Sequence, residues 1–130
     1  MGHYHKDDDK LTKSAKAYIN LVVPEILQTW SPEKLQKQAS PRLIEFIKLN
    51  ASYTHRYEEL KKMGALRNMS IDSGSIYKVK TINNTTETLG NFKLHADFEK
   101  VSATVTVRLI FVDDQWKILG FEVITPIPLR

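Results

Sequence analysis

Cysteine is absent from this 130-residue chain, which removes disulfides, thiolate nucleophiles, zinc knuckles and iron–sulfur ligation from consideration. Long apolar runs are missing too. No stretch approaches the ~20 residues that span a bilayer, and the start of the chain lacks the apolar core of a signal peptide. The five glycines never fall into a GxGxxG or P-loop spacing, so no phosphate cradle is legible. Histidine is sparse: His3 and His5 lie near the start, His55 and His95 stand alone, and neither HExxH nor an aspartate-rich calcium loop occurs. No metal and no cofactor is therefore expected. The two tryptophans, Trp30 and Trp116, sit on apolar stripes instead of among basic residues, which argues against nucleic acid as a partner.

What remains is an ordinary globular composition with 42% hydrophobic residues and a formal net charge of +4. A chain of this length fits one domain, and the mild positive charge is compatible with anionic partners without requiring them. The opening "MGHYHKDDDK" has spaced histidines before an acidic run ending in lysine. Residues 1–10 read as a tag or linker remnant and are set aside, leaving a single expected domain over 11–128.

Helical periodicity comes first. Leu11, Ala15, Tyr18, Ile19, Val22, Val23, Ile26, Leu27 and Trp30 recur at steps of three and four, predicting an amphipathic helix from Leu11 to Trp30 with one buried stripe. Pro24 inside it predicts a kink near Tyr18 to Val23, or two consecutive helices. Ser31-Pro32-Glu33 and Ser40-Pro41-Arg42 each place a hydroxyl at an N-cap and a proline in the first turn. A short helix and a longer one, from Pro41 towards Met63, should follow. Leu43, Ile44, Phe46, Ile47, Tyr53, Tyr57, Leu60 and Met63 are the candidate inward positions, Gly64 is the expected C-cap, and "LNASYT" is weak helix at which a break is expected.

After Gly64 the period changes from helical to alternating. "GSIYKVKTI" reads as a strand, "NNTTETLGN" as a loop, and "FKLHADF" as a strand with Phe92, Leu94, Ala96 and Phe98 on one face. Glu99-Lys100 turns the chain. Val101, Ala103, Val105, Val107, Leu109 and Phe111 then share one face, with Ser102, Thr104, Thr106 and Arg108 on the other. Asp113-Asp114-Gln115 closes a hairpin, and a phase switch beside a glycine predicts a β-bulge at about Leu119-Gly120. Pro126 and Pro128 end the last strand. Helices followed by an antiparallel sheet define an α+β fold.

A long first helix ending in tryptophan, two further helices and a meander closing on "DDQWKILGFEV" resemble the cystatin-like cone of the nuclear transport factor 2-like superfamily, over about residues 11 to 128. "YINLVVPEILQTWSPEKLQKQASPRL", "ELKKMGAL" and "ADFEKVSATVTVRL" are similar to small, mostly uncharacterised bacterial proteins of that superfamily, many of them exported. The resemblance implies helices on a strongly curved sheet, a concave side that can form a pocket, and an outer sheet face that often pairs with a second copy. It implies a periplasmic or otherwise exported setting. The pocket positions on this reading are Tyr18, Val22, Trp30, Phe46, Tyr53, Tyr57, Leu109, Phe111 and Trp116.

Two constellations could carry chemistry. His95 and Asp97, two apart on a strand, point the same way, so the carboxylate could orient the imidazole as a base. They alternate with Phe92, Leu94, Ala96 and Phe98, which places them on the outer, solvated face with Lys93. "YTHRYEE" gathers Tyr53, His55, Tyr57 and Glu58, with Tyr18 as a candidate opposite. Related isomerases and dehydratases use a base and tyrosine donors in the cone, but His55 points away from the tyrosine face, and no acid–base pair maps onto those enzymes. The leading expectation is a non-catalytic binding or interaction module of the bacterial envelope, taking a small apolar ligand or a protein partner. The alternatives are an isomerase- or dehydratase-like enzyme and a structural subunit of an envelope complex, with a homodimer through the outer sheet face as a candidate assembly.

Overall fold

The computed structural model describes residues 3–125, with side chains from Asp9 onward. Helix α1 runs His3–Thr29, α2 Pro32–Gln38, α3 Pro41–Leu49 and α4 Ser52–Leu60; a 3-10 turn follows over Lys61–Met63. Strands β1 Leu66–Lys80, β2 Thr86–Phe98, β3 Ser102–Val112 and β4 Gln115–Ile124 form one open antiparallel sheet in the order β1-β2-β3-β4. The α+β expectation holds.

The first helix departs from its expected form at two places. It begins at His3, inside the segment set aside as a remnant, and it passes through Pro24 as a single element of 27 residues. Two consecutive helices are therefore excluded. Pro24 removes only one donor, its own N–H, which would have met the Asn20 carbonyl. Asn20 is exposed, while Ala15, Ile19, Val23, Ile26 and Leu27 are buried along one stripe. That stripe anchors the helix on both sides of the proline. Trp30 ends it at φ 49° and is 2% exposed, so a left-handed residue turns the indole into the core.

Both serine caps are present. Ser31 Oγ accepts from the Lys34 N–H at 3.3 Å and Ser40 Oγ from the Leu43 N–H at 3.2 Å. The predicted weakness at "LNASYT" separates α3 from α4 at Asn50. Gly64 closes the helical half at φ 88°. A Cβ there would meet Glu99 Oε1 at 2.7 Å, because Glu99 folds back to accept from the Ala65 N–H at 2.7 Å. The β2–β3 turn is thereby clamped to the start of β1.

The sheet is more extensive than its sequence suggested. β1 starts at Leu66 and not at Gly74, and β2 starts at Thr86, inside the stretch expected to be loop. Register shifts between Leu66 and Asn68 and between Ile71 and Ser73 break the two-residue period of β1, and this conceals its first half from pattern reading. β3 alternates as expected: Ala103, Val105, Val107 and Leu109 are buried. The β3–β4 turn is Asp113-Asp114, both at positive φ (52° and 59°), the geometry of a two-residue hairpin whose twist matches its strands. Arg108 pairs with Gly120 but Leu109 with Ile118, so Leu119 is the extra residue of the predicted bulge. The prolines at 126 and 128 lie outside the described residues.

The core lies between the helices and the inner sheet face, formed by Phe92, Leu94, Val105, Val107, Leu109, Ile118 and Phe121 against Ile19, Val23, Leu27, Trp30, Tyr57, Leu60 and Met63. Trp30 meets Tyr57 edge-on with ring centroids 5.3 Å apart and stacks on Phe98 at 6.1 Å. Among the described residues no helix is long and apolar enough to cross a membrane.

Candidate functional site

β4 is the last strand of a simple meander and so has one outward edge of main-chain donors and acceptors that another strand could take up. Here the helices cover that edge. The Ile118 carbonyl accepts from the Ser40 N–H at 2.8 Å. The Tyr53 hydroxyl donates to the Phe121 carbonyl at 2.6 Å and accepts from the Phe121 N–H at 2.9 Å. Arg56 Nη1 donates to the Val123 carbonyl at 2.6 Å. A backbone amide, a phenol and a guanidinium thus occupy positions where a fifth strand would pair.

Tyr53 bridges from α4 to β4 and divides the space between them into two open clefts of about 320 Å³ each. One is lined by Ser52, Tyr53, Arg56, Tyr57, Leu60 and the run Phe121 to Ile124. The other is lined by Arg42, Leu43, Phe46, Tyr53, Arg108, Leu119, Gly120 and Glu122. Glu122 lines both clefts. Arg42 is paired with Glu87, while Arg108 lies across Gly120, where a Cβ would come within 2.6 Å of its guanidinium.

The sequence-predicted positions separate into three groups. Tyr53 and Tyr57 reach the groove; Tyr57 is 4% exposed and its hydroxyl has no protein partner. Burial pushes the Tyr57 phenol up, with the Tyr53 phenol adding to the effect. Burial also raises that of Tyr53, which the Phe121 backbone and Arg108 lower and Glu122 raises. Tyr18 stands apart, its hydroxyl donating to Gln38 Oε1 at 2.9 Å, and desolvation raises its phenol as well.

Trp30, Leu109 and Trp116 are buried in the core, with Trp116 Nε1 donating to Ser14 Oγ at 3.0 Å. Phe111 is half-buried beside Trp116. Val22 lines a smaller cleft between α1 and α2. Phe46 corrects an expectation: it is 48% exposed, not inward, and packs edge-on against Tyr53 at 5.3 Å. The cause is local. α3 is only nine residues long and buries Leu43 and Ile47, four apart, which turns Phe46 towards the rim.

His55 is exposed on α4. His95 and Asp97 lie on the outer face, as the alternation predicts: His95 Nε2 and Asp97 Oδ1 are 2.8 Å apart, and Ser102 Oγ donates to the same oxygen at 2.5 Å. Those two bonds, Ser102 first, hold the Asp97 carboxyl below its ordinary value. The order is wrong for a nucleophile relay, because the serine bonds the carboxylate and not the imidazole. The histidines and tyrosines therefore form no common centre. Among the described residues no charged side chain is buried, and no group of three metal-ligating side chains converges.

Sequence reading did not single out Ser52, Arg56, Arg42 or the backbone of Phe121 and Val123. One signal was available: the final strand of a meander is an edge that must be covered. Which side chains cover it depends on the α3–α4 break, and helical spacing does not encode that geometry.

No family model and no curated protein matches this chain. A solved structure, the intermembrane space region of the chloroplast protein ARC6, is similar at 17% identity and a TM-score of 0.40, covering 85% of this chain and 96% of that one.

Proposed function

We propose that the chain is a non-catalytic binding module of the nuclear transport factor 2-like kind, whose contact surface is the divided groove between α3–α4 and β4. The observation that carries this reading is the state of the interior. Where an enzyme of the isomerase or dehydratase type would need a cavity holding a titratable group, the space between helices and sheet is occupied by Trp30, Tyr57, Leu60, Phe92, Phe98 and Leu109. Open volume lies instead at the rim. Each cleft is at the low end of the roughly 300–1,000 Å³ typical of ligand sites, and each joins apolar walls to a few polar groups. The envelope setting rests on the sequence resemblance to small exported bacterial proteins.

A second reading, self-association through the outer sheet face, is favoured by one feature. Tyr77, Val79 and Val112 are 41%, 40% and 42% exposed, and register places them on the outer face beside Leu89 and Ile110. Sedimentation that stays monomeric across the micromolar range would remove this reading.

The groove is tested by titrating ¹⁵N-labelled protein with phenol, a small neutral probe. Saturable shifts confined to the amides of 52–60 and 119–124 are expected. Shifts centred on Trp30, Phe92 and Leu109 would mean that the interior opens to ligands and would revive the enzyme alternative. An absence of saturable shifts would sink the groove.

A further inference from the structure

We infer that the free edge of β1, over Ser73–Lys80, receives an extended acidic peptide as a fifth strand, with carboxylates facing Lys78 and Lys80 and apolar side chains facing Tyr77 and Val79. This edge lies across the sheet from the groove, so the inference goes beyond the proposed binding role and does not rest on it.

The two edges of the sheet are finished differently. β4 is capped by Ser40, Tyr53 and Arg56. β1 has β2 on one side only, and among the described residues no helix or loop bonds the main chain of 66–80 along the other side. About half of its N–H and C=O groups therefore point to solvent, the condition under which a further strand adds. Two register shifts break the first half of β1, but Ser73–Lys80 pairs residue by residue with the stretch from Lys93 back to Thr86. That span is an unbroken template.

Side-chain alternation names the occupant. Gly74 pairs with the buried Phe92, so Gly74, Ile76, Lys78 and Lys80 share the inner side, and Ser75, Tyr77 and Val79 share the outer one. Lys78 and Lys80 stand opposite Thr88 and Thr86, and neither enters an ion pair among the described residues. Glu87, opposite Val79, is on the other face and is bonded to Arg42. A strand laid beside β1 sets its own side chains directly against both rows, so the complement alternates carboxylate with apolar residues. A second copy fits less well. The single carboxylate of β1, Asp72, falls at the register shift outside the regular span, and a self-pairing centred near Lys78 and Lys80 sets lysine against lysine. The same lysines repel cationic strands, so they select the partner by charge.

The test uses the full chain and two octapeptides, acetyl-SVEVEVES-amide and acetyl-SVKVKVKS-amide, in amide-shift titration and hydrogen exchange at neutral pH and low salt. The acidic peptide is expected to shift 73–80 and to bind roughly 10-fold tighter than the basic one, because two cross-strand pairs change from attraction to repulsion. Its binding should also slow exchange at alternate amides of 74–80, the signature of new main-chain bonds. The double substitution Lys78→Glu with Lys80→Glu, both exposed positions, should reverse the order of the two peptides. No saturable binding of the acidic peptide, or equal binding of both, would overturn the inference and leave the lysines as guards of a bare edge. A preference without slowed exchange at 74–80 would overturn strand addition and reduce the contact to charge alone. A dimer in sedimentation whose slowed amides are those of 74–80 would give the edge to a second copy. The groove stands or falls separately, by the phenol titration.

Discussion

Two tyrosines one helical turn apart carry hydroxyls with opposite energetics. Tyr53 both donates to and accepts from the backbone of Phe121, so its phenol replaces two main-chain partners on a strand edge. Tyr57 places its hydroxyl in the core with none. Removing the first hydroxyl takes the partner from an N–H and a C=O at a part-buried edge, a loss worth about 1–3 kcal/mol for the two together where water reaches the rim. Removing the second deletes a burden. Tyr53→Phe should therefore destabilise the domain by about 1–3 kcal/mol, and Tyr57→Phe should be neutral or slightly stabilising. Urea denaturation of the two variants reads this directly. Equal losses would mean that Tyr57 has a partner after all, and no loss at Tyr53 would mean that the edge is satisfied by solvent. The spacing of these residues was legible in the sequence, since both fall on the inward side of one helix. Their hydrogen bonds were not, because the partner lies 68 residues away on a strand whose position at the edge is a property of the whole sheet.

At the scale of elements, legibility follows regularity. β3 alternates from Ser102 to Leu109 and was readable over that span, as were the serine-proline helix starts and the bulge at Leu119; Ile110, buried although it lies on the outer face, was not. β1 was readable only in its second half, because two register shifts displace its inward residues from a period of two: Leu66, Met69, Ile71 and Ile76 are the partly buried ones. Gly74, between the last two, has a packing role. A Cβ there would come within 2.1 Å of the Phe92 ring, and Phe92 is fully buried. Gly74→Ala must push that ring into filled space, and overpacking of this kind costs about 1–3 kcal/mol. Denaturation should show the loss, and Phe92→Leu should relieve part of it in the double variant. Additive effects of the two substitutions would show that the glycine and the ring do not meet. In α1 the division into two helices at Pro24, one of the two outcomes expected there, does not occur. Proline is a strong local signal, but the continuous stripe of Ile19, Val23, Ile26 and Leu27 holds the helix together past it.

For the molecule as a whole, the filled interior has a consequence that titration can reach. Tyr18, Tyr53 and Tyr57 all sit in the packed layer or at its rim, and desolvation is the first cause of a raised phenol pKa at each. In the unfolded chain the same phenols ionise near 10. With the folded values above the unfolded ones, the contribution is fully present below about pH 10 and is lost as pH rises towards the folded values, because the unfolded state sheds protons that the folded state retains. The urea midpoint should therefore decline once pH passes about 10, as an alkaline transition driven by tyrosines and not by disulfide chemistry, which a chain without cysteine cannot undergo. Tyr57→Phe removes one of the three groups, so the variant should lose stability more slowly above that pH while matching the parent at pH 7. A parent midpoint that stays level through pH 11, or a variant with an unchanged slope, would mean that the phenols ionise as freely in the folded protein as in the unfolded one. The interior around Trp30 and Tyr57 would then be open to water, contrary to the packing from which the binding role is argued.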